Sequence, residues 1–368
     1  MSEEFIPAAK PLIGAEERAA VDAVLASGMV AQGPQVAAFE EEFSAQMVQG
    51  AQCVAVNSGT SALHVGLLAA GIGAGDEVIV PSFTFAATGN SVAIAGATPV
   101  FADIEADHFC LDPKDVEAKI TDNTKAIMPV HLYGHPANMD ALAEIAEKHG
   151  LVLFEDCAQA HGASLHGKKV GTFGVFGGFS FYPTKNMTSG EGGMITTSDP
   201  DVARRAQMIR NQGMEKRYAN ELVGLNNRMT DINAAIGREQ LKKVAAWTST
   251  RQENAAFLTE NITADGVITP KVADGAVHVY HQYTIRVLED RDGFQKALKD
   301  EFNIGSGVYY PIPNHRLPSL APYAPGLELP TTEMVAKQCL SLPVHPSLSQ
   351  ADLERIVNAV NTLAKAGA

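Results

Sequence analysis

A chain of 368 residues, 46% hydrophobic and 19% charged, holds enough apolar matter for one large domain and a smaller one, each with its own core. A formal charge of −14 argues against a nucleic-acid partner, because phosphate backbones are gripped by clustered Lys and Arg. No apolar run approaches the roughly 20 residues of a membrane span, and the start Met1-Ser2-Glu3-Glu4 lacks the basic opening of a signal peptide, so a cytoplasmic location is expected.

In chain order, Ile6 to Gly14 is too rich in proline for a helix and reads as an extended arm. Glu16 to Ala26 and Pro34 to Met47 carry apolar residues at helical spacing, separated by the turn Ser27 to Gly33. Strands and helices then alternate. Val54 to Val56, Glu77 to Val80, Thr98 to Ala102, Ala126 to Val130 and Leu151 to Phe154 read as strands. Helices are expected between them at Ser61 to Ala70, Ala86 to Ala95, Pro113 to Ile120 and Asn138 to Lys148. That rhythm implies an α/β fold with a mostly parallel central sheet flanked by helices on both faces. Val175 to Phe181 and Met194 to Thr197 add two strands, and Asp199 to Asn211 a helix.

A polar irregular stretch, Gly213 to Arg228, leads to Thr230, the expected N-cap of one long helix ending near Leu258. The chain changes character near Ile262. A strand from Val277 to Val287, helices at Asp292 to Glu301, around Glu333 to Cys339 and at Gln350 to Ala364, and a proline-rich segment at Tyr309 to His315 suggest a smaller α+β domain. The expected division is therefore 1–261 for the arm and large domain and 262–368 for the small one.

Cys53, Cys110, Cys157 and Cys339 lack any C-x-x-C spacing and read as buried small hydrophobes rather than a zinc or disulfide set. Gly71 to Gly75 has glycines like a dinucleotide loop, but it follows a helix and precedes a strand, the reverse of that motif, and reads as a helix C-cap. His131 and His135 are spaced as helical metal ligands, yet Gly134 and Pro136 put them in a strand end and loop, so no metal is expected. An anionic substrate would need a local basic patch, for which Arg204, Arg205, Arg210, Lys216, Arg217 and Arg228 are candidates; for Arg204 and Arg205 a solvated helix face reads equally well.

One lysine stands out. Lys185 is an isolated cation between the apolar strand ending at Phe181 and the glycine-rich turn Gly190-Glu191-Gly192-Gly193. A lysine deprived of solvent has a lowered pKa and becomes a nucleophile towards carbonyls. Upstream, Leu151 to Phe154 runs into Glu155-Asp156, as a buried strand ends when it opens on a site, and Val54 to Val56 turns through Asn57-Ser58-Gly59-Thr60-Ser61 into a helix whose N-terminus suits an anion. Reactive amine, carboxylate and phosphate cradle are the fixtures that pyridoxal phosphate (PLP) requires.

Asn57 to Leu63, Pro81 to Thr88, Pro129 to Gly134, Glu155 to Ala160 and the segment Gly178 to Gly193 also resemble, in order, the DegT/DnrJ/EryC1/StrS family of PLP-dependent sugar aminotransferases. The resemblance implies the PLP-dependent transferase type I fold. It implies Lys185 as the Schiff-base and acid/base residue, and Asp156 as the partner of the pyridine nitrogen. Gly59, Thr60, Ser61 and Ser180 would hold the phosphate, and Phe85 would stack on the ring. Gln159 stands where many members have histidine and would contact the cofactor's 3-oxygen. The family is dimeric, so Asn226 and Arg228 would complete the site of a partner subunit, while Tyr310 and His315 would face the substrate. The reaction implied is ping-pong transfer of an amino group from glutamate to a nucleotide-linked keto-sugar. A dehydratase of the same family is disfavoured because such members replace the lysine with histidine. A non-catalytic PLP-binding regulator would show a DNA-binding appendage or basic arm, and a desulfurase a mobile cysteine loop; the sequence has neither feature.

Overall fold

The computed structural model describes residues 4–366; the acidic start Met1 to Glu3 lies outside the described residues. The proline-rich arm is extended, and Ile6 bridges Ile304, its N–H donating to Asn303 O at 3.1 Å. Helices α1 (Ala15–Ser27) and α2 (Pro34–Met47) follow. α2 begins with Pro34 at its first position, where a missing N–H costs nothing. Its start is capped from a distance of almost 200 residues: the Asp231 carboxylate accepts from Gly33, Gln35 and Val36 N–H at 2.8, 3.2 and 3.0 Å.

The alternating region comprises β1 (Gln52–Val56), α3 (Gly59–Ala69), β2 (Glu77–Pro81), α4 (Ala87–Ile94), β3 (Thr98–Ala102), α5 (Pro113–Ala118), β4 (Thr124–Ile127), α6 (Met139–His149) and β5 (Val152–Asp156). A small hairpin, β6 (Ser164–Leu165) and β7 (Lys168–Lys169), precedes β8 (Phe176–Ser180), β9 (Gly193–Thr197) and α7 (Pro200–Arg210). Seven strands form one sheet in the order β1-β9-β8-β5-β4-β2-β3. From β8 to β3 every pairing is parallel, and β9 runs antiparallel to both of its neighbours.

The period of two along the strands decides which helix covers which face. Val54, Val56, Val78 and Val80 meet α3 and α7 on one face. Cys53 and Ala55 pack with Phe39 and Phe43 of α2 on the other, and Ile79, Ile127 and Leu153 continue that second face under α5 and α6. With both faces dry, ligands are left the edge where the strands end.

The structure departs from the expected elements in four places. Gly213 to Arg228 contains a short hairpin, β10 (Met214–Lys216) and β11 (Ala219–Asn220). Thr230 does cap a helix, its hydroxyl accepting from Asn233 N at 3.2 Å, but the single long helix is two: α8 (Asp231–Leu241) and α9 (Val244–Asn261). The break falls at Lys242 and Lys243, where Lys243 Nζ reaches the buried Glu17 of α1 at 2.7 Å. A tertiary ion pair here overrides helix propensity.

After β12 (Val267–Ile268), the strand expected from Val277 to Val287 is also divided, into β13 (Ala276–Val277) and β14 (Tyr283–Val287). Tyr280 between them has φ +43°, and the intervening backbone bonds elsewhere, Val279 N to Gly134 O at 3.0 Å and Gln282 N to Tyr133 O at 3.2 Å. Beyond α10 (Arg291–Phe302) and α11 (Pro330–Gln338), Cys339 opens a strand rather than ending a helix: β15 (Cys339–Leu342) pairs antiparallel with β14 before the last helix, α12 (Gln350–Ala366).

Replacing Asp231 by Ala removes three charge-assisted bonds from a buried cap, so we expect a loss of about 2–3 kcal/mol. Urea denaturation checks this: the midpoint should fall without a change in slope.

Candidate active site

The carboxyl ends of β5 and β8 and the turn after β1 converge at one edge of the sheet. Two consecutive acids close β5, and the pleat sends them to opposite faces. Glu155 is structural. It accepts from His131 Nε2 at 3.0 Å and from the N–H groups of Gly171, Phe173 and Gly174 at 2.7, 2.7 and 2.9 Å. His131 Nδ1 accepts from Ala137 N at 3.0 Å. His131, Glu155 and Cys157 lie close enough together to suggest a metal site, but these bonds already occupy the imidazole and the carboxylate.

Asp156 faces the open edge. Thr88 Oγ1 donates to it at 2.7 Å and Ala158 N at 3.1 Å. Burial pushes its carboxyl above the ordinary range, against those two bonds and the positive charge of Lys185. Lys185 sits in the turn after β8, held by its own N–H to Tyr182 O at 2.9 Å. Burial pulls its ammonium down to about 8, and only Asp156 opposes that shift. Among the described residues its side chain makes no hydrogen bond or ion pair.

Sequence reasoning overlooked the groups behind this lysine. His161 is wedged between Phe179 and Phe181, ring centroids 5.5 and 5.7 Å away, with neither nitrogen hydrogen-bonded among the described residues. Burial first, and the Lys185 charge second, pull it down to about 3. His281 is likewise buried and held neutral. His161 lies directly after the Glu155 to Ala160 motif, the one signal that pointed to it.

The start of α3 forms a cradle. Ser58 is the N-cap, accepting from Ser61 N at 3.1 Å, and Ser61 Oγ donates to Asn57 Oδ1 at 2.7 Å. The N–H groups of Gly59 and Thr60 lie in the first turn, where no intrahelical acceptor exists. The cradle is tight against the strand ends: a Cβ on Gly59 would stand 2.6 Å from Ser180 Cβ, and one on Gly193 would stand 2.3 Å from Ser58 O. Ser180 Oγ takes only a long bond, 3.4 Å, from Tyr182 N. Phe85 stands 62% exposed just before α4, an apolar ring left uncovered near Thr88.

The remaining expected site residues are placed as follows. Gln159 accepts from Tyr133 N at 2.8 Å and donates to Tyr310 Oη at 2.7 Å, so Tyr310 is brought to this edge of the sheet and Gln159 is tied to it. Asn226 is exposed, and Arg228 bridges Val56 and donates to Asn211 Oδ1 at 2.9 Å. Segment 226–228 thus lies beside the end of β1, with Asn57 N donating to Asn227 O at 3.0 Å. The His315 ring is buried, with Nδ1 2.6 Å from Ser82 Oγ and Nε2 3.1 Å from Glu333 Oε1, so both nitrogens have partners within the chain and tether its loop.

The basic cluster does not converge either: Arg204 pairs with Glu215, Arg210 with Glu40, and Arg205 donates to Leu68 O. All four cysteines are free and buried.

An unpaired, desolvated amine can condense with an aldehyde, a buried carboxylate can hold a cationic ring nitrogen, and a helix start shaped by glycine can take a phosphate. This donor set fits PLP. Comparison with known proteins points the same way. The model of the DegT/DnrJ/EryC1/StrS aminotransferase family matches residues 11–361. The "Pleiotropic regulatory protein" of Geobacillus stearothermophilus is 43% identical over 92% of each chain. The dTDP-3-amino-3,4,6-trideoxy-alpha-D-glucose transaminase of Streptomyces venezuelae is 42% identical, over 98% of this chain and 95% of its own. Among solved structures, S. venezuelae DesV in complex with a ketimine intermediate superposes with a TM-score of 0.92 at 42% identity, covering 95% of both chains.

The lowered pKa of Lys185 sets a pH dependence. Only the neutral amine attacks an aldehyde, and between about 8 and the roughly 10.4 of free lysine the folded chain holds it neutral while an ordinary lysine remains charged. Uptake of PLP by the cofactor-free protein, followed by visible absorbance, should therefore accelerate with rising pH and level off above about 8. An unchanged rate from below 7 to 10 would contradict this assignment.

Proposed function

The chain belongs to the DegT/DnrJ/EryC1/StrS aminotransferase family, and from that premise we propose that it transfers the amino group of glutamate to a keto-sugar carried on a nucleotide. The protein is a PLP-dependent aminotransferase. The observation that carries the reading is the Lys185 amine, half-buried, unpaired among the described residues, and within electrostatic reach of Asp156.

When bound, PLP supplies an electron-withdrawing ring that stabilises negative charge at the α-carbon of the amino donor. The chain's own residues would do the rest. Lys185 Nζ would anchor the cofactor and take the proton from the donor's α-carbon, for which an amine pulled down to about 8 is suited near neutral pH. Asp156, held by Thr88 and Ala158, keeps a proton on the ring nitrogen, and that positive charge relieves the cost of its own burial. The N–H groups of Gly59 and Thr60 with the hydroxyls of Ser61 and Ser180 hold the phosphate. Phe85, exposed just before α4, would cover one face of the ring. Gln159, fixed by Tyr133 and Tyr310, lines the same edge.

Donor and acceptor would use this site in turn, which is the ping-pong order. Asn226 and Arg228 would reach the equivalent site of a second copy, making the working form a homodimer. We take 1–261 and 262–368 as the large and small domains; a distinct core around Tyr283, Leu298, Leu340 and Ile356 supports a C-terminal unit, which Ile6 of the arm and Ala255 and Leu258 of α9 also join. Among the described residues no helix is long and apolar enough to cross a membrane.

Mixing the PLP-loaded enzyme with glutamate should bleach its visible absorbance, and the right keto-sugar nucleotide should restore it. A cofactor-binding regulator would give neither response. Lys185→Ala should lose both turnover, by at least about a thousandfold, and the visible band; retention of either overturns the assignment. Asp156→Ala should bind PLP weakly and slow α-proton removal to a comparable degree, a loss that single-turnover kinetics would read.

A further inference from the structure

Between β12 and β14 the chain crosses the hairpin β6–β7 and the loop after β4 as a strap, residues 270–282. Its backbone is stitched down at β13, which pairs with β6, and at Val279 and Gln282, which donate to Gly134 O and Tyr133 O. The strap in turn holds the lysine turn: Asn186, buried and next to Lys185, donates from Nδ2 to Val279 O at 2.9 Å. Tyr280 is kept at φ +43°, a conformation that a tyrosine adopts only at a cost, so the strap is fastened against strain.

Two buried histidines clasp this strap, and each can do so only while neutral. His135 Nδ1 lies 2.7 Å from Pro136 O, which can only accept, so Nδ1 carries the proton and Nε2 keeps the lone pair that accepts from Ala273 N at 3.0 Å. His278 Nδ1 accepts from Tyr280 N at 3.1 Å, so its proton is on Nε2. A second proton on either ring would set two N–H groups against each other. The rings also crowd one another: His135 stacks on His108 at 4.6 Å and meets His278 edge-on at 5.4 Å, and His278 stacks on Tyr280 at 3.9 Å. Neither clasping ring has an ion pair among the described residues. Glu105 pairs with His108 at 3.6 Å, Asp107 with Lys271 at 2.9 Å, and Glu155 with His131, while His281 on the strap lies towards the charges of Lys185 and Arg251. Burial, helped by His108, pulls His135 down to about 4; burial, helped by His135, pulls His278 well below the ordinary range.

We propose that residues 270–282 form an acid-released strap: a proton taken up by His135 or His278 undoes the clasp, and the lifted strap unmoors the Lys185 turn at Asn186. The device is independent of which amino donor or sugar the enzyme uses. A histidine freed into solvent regains its ordinary pKa of about 6.5. Above that value neither the closed nor the lifted form binds the extra proton, and the clasp is at full strength. Below it only the lifted form does, so the closed form loses ground as pH falls, down to about 4 for His135. From pH 7.5 to 5.5 the opening equilibrium should rise about tenfold for one freed histidine and about a hundredfold for both.

Amide hydrogen exchange of the PLP-loaded enzyme, read by mass spectrometry and corrected for the pH dependence of intrinsic exchange, tests the strap. Between pH 7.5 and 5.5 peptides covering 270–282 should lose protection at least about tenfold in wild type, while peptides of β2 and α3 hold theirs. The double variant His135→Gln, His278→Asn offers an amide oxygen where each imidazole accepts, an Asx-type turn at position 278, but cannot titrate; its loss should be under about threefold. If that variant fails to fold, His278→Asn alone decides, with a loss about tenfold smaller than in wild type. Unchanged protection in wild type, or the same loss in wild type and the folded variant, overturns the proposal. On dilution into cofactor-free buffer, PLP should leave wild type severalfold faster than the variant at pH 5.5 and at the same rate at pH 7.5; equal rates at both pH values also overturn it.

Discussion

The structure turns on the cost of keeping one lysine amine half-buried without giving it a partner among the described residues. Lys185 has a carboxylate, Asp156, near enough to feel but makes no salt bridge to it. A direct ion pair would stabilise the ammonium and abolish its nucleophilicity. Separation leaves both groups dissatisfied, the acid pushed up and the amine pulled down, which is the state that a cationic ring between them would relieve. The same burial reaches the two histidines behind the lysine: a protonated imidazole at His161 or His281 would add charge next to Lys185, and desolvation keeps both neutral.

Holding such a pair requires a rigid edge, and local choices along the chain supply it. The pleat of β5 gives Glu155 to the interior, where four donors fix the strand end, and leaves Asp156 to the site. β9 returns antiparallel through Gly193, whose missing side chain lets Ser58 come into contact, and Gly59 does the same for Ser180. The two strand ends and the helix start are thus fixed relative to one another by backbone approach rather than by flexible side chains. Asp231 extends this rigidity outward by pinning the turn before α2 to the start of α8.

Much of this was legible in the residues because the informative features are local. Alternating strand and helix periods revealed the sheet to within a residue or two at most ends, and Thr98 to Ala102 and Pro34 to Met47 coincide with the observed elements. The Lys185 turn, Asp156 and the small-residue turn from Asn57 to Ser61 were visible because each is a break in an apolar pattern. What escaped depends on distant partners. Nothing near Lys243 announces that Glu17 will hold it and divide a helix, and nothing near Tyr280 announces that its neighbours will bond to residues 133 and 134. β15 was hidden because Cys339 to Leu342 is short and equally apolar in either period. The partners of His315 were hidden for a related reason: its spacing after Tyr310 does not reveal that its ring will meet Ser82 and Glu333.

The two tyrosines at this edge carry the argument about Gln159. Tyr133 and Tyr310 both lie in the left-handed region, φ +57° and +59°, which side chains other than glycine's adopt only at a cost of about 1 kcal/mol or more each. Their rings stack with centroids 6.3 Å apart, and Phe83 meets each of them edge-on. Gln159 joins them, one end on the Tyr133 backbone and the other on the Tyr310 hydroxyl. An amide can accept and donate at once through two atoms about 2.2 Å apart on one planar group, whereas an imidazole bridging the same partners would place its two nitrogens on a different vector. In this chain, therefore, the residue found where histidine is common in the family acts first as a brace. It ties the Tyr133 backbone to the Tyr310 hydroxyl, so that the segment bearing Tyr310 is set against the end of β5.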